Sequence, residues 1–431
     1  MQVSVETGEG LERRMRIDLP FERIQGEVDK RLQQLARSAR LPGFRPGKVP
    51  INLLRQRYGE QVQQEVFGEL VQTSFSEAVA KEALRPAGMP RIEPDIDHAE
   101  KRYGYTAVFE VLPQFELAPL SGKVLKRPVA QVTDADLEAM LERLRTQRKS
   151  WQPAQRPAQS GDRLTVAYTG TIDGEAFEGG SSASSQLELG SGRMIPGFED
   201  GLIGARAGET RSLDITFPEG YHAAPLAGKP VRFEVTVNAV DESVLPEVDA
   251  DFARSFGVED GDVERFRSDV RANMERELKQ RIKARTKEAV MDVLVAENAV
   301  DIPAVLVSEE VRSLKEQMRQ NLGGGRMELP DNLFEDSARR RVALGLIIAE
   351  IVKKNGIVAN AASVREAVEE MASTYEQPQE LVDYYYADRK RLAPVESLVL
   401  EERVVDWVLG QVAVEDEATT FQQLTEPGMG A

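Results

Sequence analysis

The sequence predicts a multidomain α+β protein: an α+β N-terminal part, a small antiparallel β-sheet with one helix in the middle, and an all-α C-terminal part. Three observations predict it. Apolar residues change period along the chain, between the two-residue repeat of strands and the roughly four-residue repeat of helices. Proline and glycine cluster where the period changes. The length of 431 residues also exceeds what a single core fills.

Met15, Ile17 and Leu19 alternate as a strand does, and Ile24, Val28, Leu32, Leu35 and Ala39 then follow helical spacing. The stretch Pro42–Pro50 ends that helix, because proline lacks an amide donor and restricts its predecessor. A second helix is expected from about Ile51 to Leu84, and Tyr103, Tyr105, Ala107, Phe109 and Val111 return to a period of two. Residues 1–112 therefore read as one domain, with strands flanking a helix–loop–helix.

Residues 113–149 read as a connector that packs with the C-terminal domain. In it Thr133 followed by Asp136 marks a helix start, and Leu137, Met140, Leu141 and Leu144 make an apolar stripe. Gln152–Ala158, with prolines at 153 and 157, has linker composition. Residues 150–243 form the β-rich domain. Leu164, Val166 and Tyr168 alternate, Asp173-Gly174 is a hairpin turn, and Leu213, Ile215 and Phe217 alternate again, as do Val231, Phe233, Val235 and Val237. A short helix is expected over Gly197–Leu202.

Residues 244–431 are helical in pattern, with breaks at Pro303, Gly323-Gly324-Gly325, Pro330, Gly356 and Pro394, and a frayed polar tail from Asp416. Phe266, Val270, Met274, Leu278 and Ile282 fall every fourth position. Each step overshoots a helical turn by about 40°, so the stripe drifts round the helix. So thin a stripe suits an extended arm better than a core helix.

Composition narrows the chemistry. The chain has no cysteine, hence no disulfide, thiol nucleophile or Cys-ligated metal. Its two histidines, His98 and His222, are too few for a His-rich metal site, and neither neighbours a Gly-x-Ser-x-Gly elbow. No cofactor and no metal are called for. Gly190-Ser191-Gly192 lacks the third glycine of a dinucleotide fingerprint. Met1–Glu6 has no signal-peptide character, and the apolar run Val342–Ile348 is too short to span a membrane. A cytoplasmic location without a membrane partner is the expectation.

Against a net charge of −17, Lys30 to Tyr58 holds eight basic residues and no acid. At its centre lies Gly43-Phe44-Arg45-Pro46-Gly47-Lys48-Val49-Pro50, stiffened by three prolines if Pro42 is included. One reading holds Arg45 and Lys48 outward for an anionic partner, with Phe44 as an apolar contact. The other tucks Phe44 under as a plug and leaves the charges solvated.

Tyr168, Phe177, Ile195, Phe198, Tyr221 and Phe233 are spread over the strands of the middle domain. They are either plain core or the lining of a concave apolar pocket. No acid–base pair accompanies them, and rotation about an X-Pro bond needs none. Its barrier is amide resonance, ~18–20 kcal/mol for ordinary peptides, which a dry pocket lowers by favouring the twisted, less polar amide. Tyr221 would donate to the substrate carbonyl, and Glu178 would polarise the rim. Tyr384-Tyr385-Tyr386 and Glu401-Glu402 are read as helix packing and a solvated helix face.

Val166-Ala167-Tyr168-Thr169-Gly170, Phe177-Glu178, Gly192-Arg193-Met194-Ile195-Pro196-Gly197-Phe198-Glu199 and Phe217-Pro218-Glu219-Gly220-Tyr221 together resemble the FKBP-type prolyl isomerases. With the Gly-Phe-Arg loop upstream and the helical region downstream, the whole chain resembles the bacterial trigger factor family. The resemblance implies a ribosome-associated, ATP-independent chaperone with peptidyl-prolyl isomerase activity. Its N-terminal domain would dock beside the exit tunnel of the large ribosomal subunit, on protein and ribosomal RNA, through Gly43, Phe44, Arg45, Gly47, Lys48 and Pro50. Pro46 stands where the family often has a basic residue, so one cationic contact is missing. The isomerase site would comprise Tyr168, Phe177, Glu178, Met194, Ile195, Phe198, Tyr221 and Phe233. The C-terminal helices would cradle nascent and unfolded polypeptides, with Met274, Met291, Met318 and Met327 as adaptable contacts, and a homodimer is conceivable off the ribosome. The competing readings are a free-standing isomerase with a helical dimerisation scaffold, and a duplex-DNA regulator. The acidic net charge disfavours the second.

Overall fold

The computed structural model describes residues 1–38, 44, 49–97, 102–221, 223–323, 329–373, 375 and 377–425. The chain divides into two compact units, residues 1–127 with 284–417 and residues 128–283 with 418–431.

The first unit begins with β1 (Gln2–Thr7), β2 (Glu12–Leu19), α1 (Phe21–Ser38), α2 (Ile51–Lys81), β3 (Arg91–Asp97) and β4 (Arg102–Glu110). The strands form an antiparallel sheet in the order β1-β2-β4-β3. Its register sets Met15 opposite Ala107 and Ile17 opposite Tyr105, so alternate residues share one apolar face. Ile24, Val28 and Leu32 of α1 and Leu54, Val62, Val66 and Leu70 of α2 close on that face. The periodicity located β2 and β4 but passed over β1 and β3. These are edge strands whose apolar signal is short, and β3 carries Pro94, which an edge tolerates. In the core, Tyr105 Oη donates to the Val71 carbonyl at 3.0 Å and lies 2.8 Å from the buried Ser74 hydroxyl, pinning α2 to β4. The connector begins with β5 (Val124–Val129).

In the second unit, α3 (Asp134–Gln147) starts at the expected capping box: the Asp136 amide donates to Thr133 Oγ1 at 3.2 Å and the Thr133 amide to Asp136 Oδ2 at 2.9 Å. The strands β6 (Ser150–Pro153), β7 (Arg163–Ile172), β8 (Glu175–Glu188), β9 (Thr210–Thr216) and β10 (Pro230–Val244) follow. They form an antiparallel sheet ordered β6-β10-β7-β8, with β9 on the other half of β10's free edge. The linker reading of Gln152–Ala158 fails. Glu242 pairs with Gln152, Ala158 is buried, and Arg156 makes a two-pronged ion pair at 2.6 and 2.9 Å with the buried Asp162. The expected helix at Gly197–Leu202 shrinks to a single tight turn, Asp200–Leu202.

Two helices follow, α4 (Ala250–Ser255) in this unit and α5 (Val263–Glu297), whose residues from 284 on belong to the first unit. The α5 stripe, expected to be too thin for a core helix, is covered. Phe266, Val270, Met274 and Leu278 are buried against Leu137 and Leu141 of α3, Phe252 of α4 and Phe421.

The remaining helices, in the first unit, are α6 (Ala304–Asn321), α7 (Asn332–Asn355), α8 (Ala361–Ala372), α9 (Pro378–Tyr386) and α10 (Arg389–Leu409). Breaks fall at Pro303, Gly323 and Gly356 as expected, the last a left-handed cap with φ 63°. Gly324 and Gly325 lie outside the described residues. Pro394 does not break its helix: α10 runs through it from Arg389 to Leu409. Nor does the tail fray at Asp416. It forms β11 (Ala413–Ala418), paired with β5, and α11 (Phe421–Thr425), whose Phe421 is buried. Among the described residues no helix is long and apolar enough to cross a membrane.

Candidate active site

Paired strands bring the aromatic residues of the middle domain together. Phe233 of β10 lies opposite Gly170 of β7, and Val235 opposite Tyr168. The buried rings of Phe198 and Phe233 meet edge to face at 5.2 Å, and Tyr168 stands 5.8 Å from Phe198 and 5.9 Å from Phe233. Phe177 lies 6.3 Å from Phe233 and 6.0 Å from Phe217, which contacts Tyr221 at 4.7 Å. Glycine makes this approach possible. A Cβ on Gly170 would stand 2.5 Å from the Phe233 ring, and one on Gly180 2.7 Å from the Phe177 ring.

Phe198, Phe217 and Phe233 are buried, whereas Tyr168, Phe177, Met194, Ile195 and Tyr221 pack on them half-buried. The cluster thus has a dry base and an apolar edge open to solvent. Seven of the eight residues expected at the site belong to this cluster; Glu178, next to Phe177 on β8, is exposed and does not. Phe217 belongs to the same cluster but was read only as part of an alternating strand.

Sequence reasoning also passed over Glu199 as a site residue, although it closes the quoted Gly192–Glu199 stretch. Its side chain is buried, at 7% exposure. One oxygen accepts from the amides of Arg193 and Met194 at 3.1 Å and from the Ser191 hydroxyl at 3.0 Å, and the other from the Gly192 amide at 3.1 Å. Burial pushes this carboxyl up, but the Met194 and Gly192 amides and the Ser191 hydroxyl outweigh burial and hold it below its ordinary value. A carboxylate directly after a ring-bearing core position, and a few residues beyond a glycine-flanked turn, was the available signal.

The basic stretch is less free than its sequence suggested. Arg31 pairs with Glu65 and Glu69, Arg55 with Asp29, and Lys30 with Glu27 at 2.6 Å. The absence of acids in the run is offset by acids on the facing turns of α1 and α2. Arg37 and Arg57 have no acidic partner among the described residues. Phe44 is 41% exposed, which removes the plug reading, and Pro50 caps α2, its carbonyl accepting from the Leu53 amide at 3.1 Å. Gly43, Arg45, Gly47 and Lys48 lie outside the described residues.

The four methionines expected to meet clients divide. Met274 and Met291 are core residues, 3% and 7% exposed, because packed helices cover them, so in this conformation they offer no contact surface. Met318 on α6 is 41% exposed, and Met327 lies outside the described residues.

Three family models match along the chain. Residues 1–144 match bacterial trigger factor protein, 154–238 FKBP-type peptidyl-prolyl cis-trans isomerase, and 262–410 the C-terminus of bacterial trigger factor protein. A trigger factor of Stutzerimonas stutzeri (strain A1501) is 50% identical over 429 residues, covering 99% of this chain and 98% of that protein. Those of Pseudomonas savastanoi pv. phaseolicola and Azotobacter vinelandii are 49% and 48% identical with the same coverage. A solved structure from work on promiscuous substrate recognition by the trigger factor chaperone aligns over 95% of this chain and 100% of its own, at 19% identity and a TM-score of 0.48. With half its residues shared along nearly its full length, and an FKBP-type segment between two trigger factor segments, the chain belongs to the trigger factor family.

Proposed function

We propose that the protein is a ribosome-associated, ATP-independent chaperone that binds nascent chains and catalyses cis/trans isomerisation of X-Pro bonds. One observation carries the catalytic half: a buried ring base, Phe198 and Phe233, ringed by the half-buried Tyr168, Phe177, Met194, Ile195 and Tyr221. A prolyl ring seated there leaves water while the amide preceding it stays at the open edge. Resonance in that amide weakens as it twists, and an apolar wall favours the less polar twisted form. The reaction makes and breaks no covalent bond, so it requires no nucleophile, metal or cofactor. Tyr221 acts as donor to the substrate carbonyl, and Glu178 acts from the exposed rim.

Residues 1–112 form the docking domain, 113–149 the connector, 150–243 the isomerase, and 244–431 the helical chaperone domain. Docking is on exit-tunnel protein and ribosomal RNA of the large subunit, through Phe44, Arg45 and Lys48 with Gly43, Gly47 and Pro50 shaping the loop. The exposure of Phe44 supports this. Off the ribosome, the chain pairs with a second copy as a homodimer. Clients meet the helical domain at exposed Met318 and Leu322 and at the neighbouring groove of about 760 Å³ between α6 and α7.

Two measurements test the proposal. Replacing Phe44, Arg45 and Lys48 by Ala is expected to abolish co-sedimentation with ribosomes at moderate salt; undiminished co-sedimentation would refute docking through this loop. Tyr168→Ala, which removes a ring from the open edge and leaves the buried base, is expected to lower kcat/KM for a prolyl peptide by about 10- to 100-fold.

A further inference from the structure

We infer that Glu199 is a positioning residue for the isomerase: its buried carboxylate presets the Ser191–Met194 turn, and so fixes where Met194 and Ile195 stand at the pocket edge. The inference rests on the reading that those two residues line the prolyl site.

The geometry supporting it is local and complete. Phe198 and Glu199 are consecutive, both buried, and serve different partners. Phe198 joins the ring base through Tyr168 and Phe233, while Glu199 gathers the turn. Three successive backbone amides, those of Gly192, Arg193 and Met194, converge on the one carboxylate. Successive amides aimed at one point form an anion-binding nest, and here the anion is built into the chain. The Ser191 hydroxyl adds a fourth bond and lies 3.4 Å from the Arg193 amide. Gly192 enables the turn with φ 67°.

A carboxylate only accepts hydrogen bonds, so all four donors are satisfied. A neutral amide of the same shape cannot do this. Glutamine would aim an NH2 group at backbone amides that also donate, so at least one amide loses its partner and the turn relaxes. Because the turn leads directly into Met194 and Ile195, the loss falls on substrate placement.

The test uses the full-length chain and a proline-containing peptide. For Glu199→Gln, KM is expected to rise about 10- to 100-fold, the cost of misplacing a contact by roughly an ångström, with kcat per folded molecule little changed. Hydrogen exchange is expected to quicken at the Gly192, Arg193 and Met194 amides and not in β7 or β10. A merely structural role would lower kcat in proportion to the folded fraction and leave KM alone. That result, or wild-type KM with the three amides still protected, overturns the inference. Should Glu199→Gln not fold, Ser191→Ala decides: a raised KM supports the inference and an unchanged one overturns it. Met194→Ala separates the two claims, since wild-type KM in that variant would sink the pocket reading itself.

Discussion

Glu199 also makes a prediction about stability. Its folded-state pKa is held below the ordinary glutamate value by the hydrogen bonds that oppose its burial. A depressed pKa contributes stability that is present above the unfolded-state value, about 4.3, and is lost as pH falls through the folded value. Wild type is therefore expected to exceed Glu199→Gln by about 1.5–3 kcal/mol at neutral pH, the worth of a hydrogen bond to a charged group. Urea unfolding should show that margin shrinking on the acid side of pH 4.3. A margin independent of pH would mean that the carboxylate is not the stabilising form. Tyr105 poses a different case. Burial pushes its hydroxyl up, and its bond to the Val71 carbonyl is internal to the core. Tyr105→Phe leaves that carbonyl and Ser74 without the hydroxyl, and the expected cost is about 1–3 kcal/mol in the same assay.

At the scale of elements, the β7–β8 hairpin turns through Asp173 and Gly174, both left-handed at φ 53° and 88°. Two such residues in succession make the turn whose twist matches the strands. Gly174→Ala places a Cβ on left-handed backbone and is expected to cost about 1–2 kcal/mol. Because Phe177 lies just beyond the turn on β8, isomerase activity should fall more than that stability loss alone explains; equal losses would detach the turn from the site. That hairpin was legible because Asp-Gly carries its own backbone preference. The fate of α5 was not. Its every-fourth spacing predicts a drifting stripe without one straight partner, but not that so thin a stripe is buried. The partners change along it: Phe252 stands 5.7 Å from Phe266, Arg267 and Arg271 pair with Glu138 and Asp134 of α3, and Ala130 and Val132 share a groove with Leu278 and Ile282. A drifting stripe needs a succession of neighbours, and spacing within one helix says nothing about neighbours far along the chain.

For the molecule as a whole, the isomerase domain can be cut out cleanly. Its chain enters on β6 and leaves on β10, with Ser150 paired to Val244. Beyond that exit, the Arg145 side chain of α3 donates to the Pro246 carbonyl at 2.7 Å, so the flanking segments are already tied together. Replacing residues 150–244 by a short Gly/Ser linker is expected to leave a folded protein that has lost isomerase activity. It should still suppress aggregation of an unfolded client. Loss of that suppression would favour the isomerase-with-scaffold alternative. The buried positions of Met274 and Met291 bear on the same experiment, because the proposed client contact is then expected at exposed groups such as Met318 and Leu322.

By itself the sequence determined what depends on neighbours in the chain: the alternation of β2, β4, β7 and β10, the capping box of α3, the Asp-Gly turn, and the residue types that make a ring-lined pocket without acid–base machinery. These follow from local backbone preference and from side-chain period, which act over a few residues. Only the tertiary structure decided which faces are covered. It buried two of the expected client methionines, paired Arg31 and Arg55 of the basic stretch with acids on the facing helix, and drew the 152–158 segment and the tail as far as Thr425 into packed elements. It also placed Glu199 inside a ring of donors. Burial and charge pairing are set by residues distant in sequence that folding brings within a few ångströms, and no period along the chain encodes them.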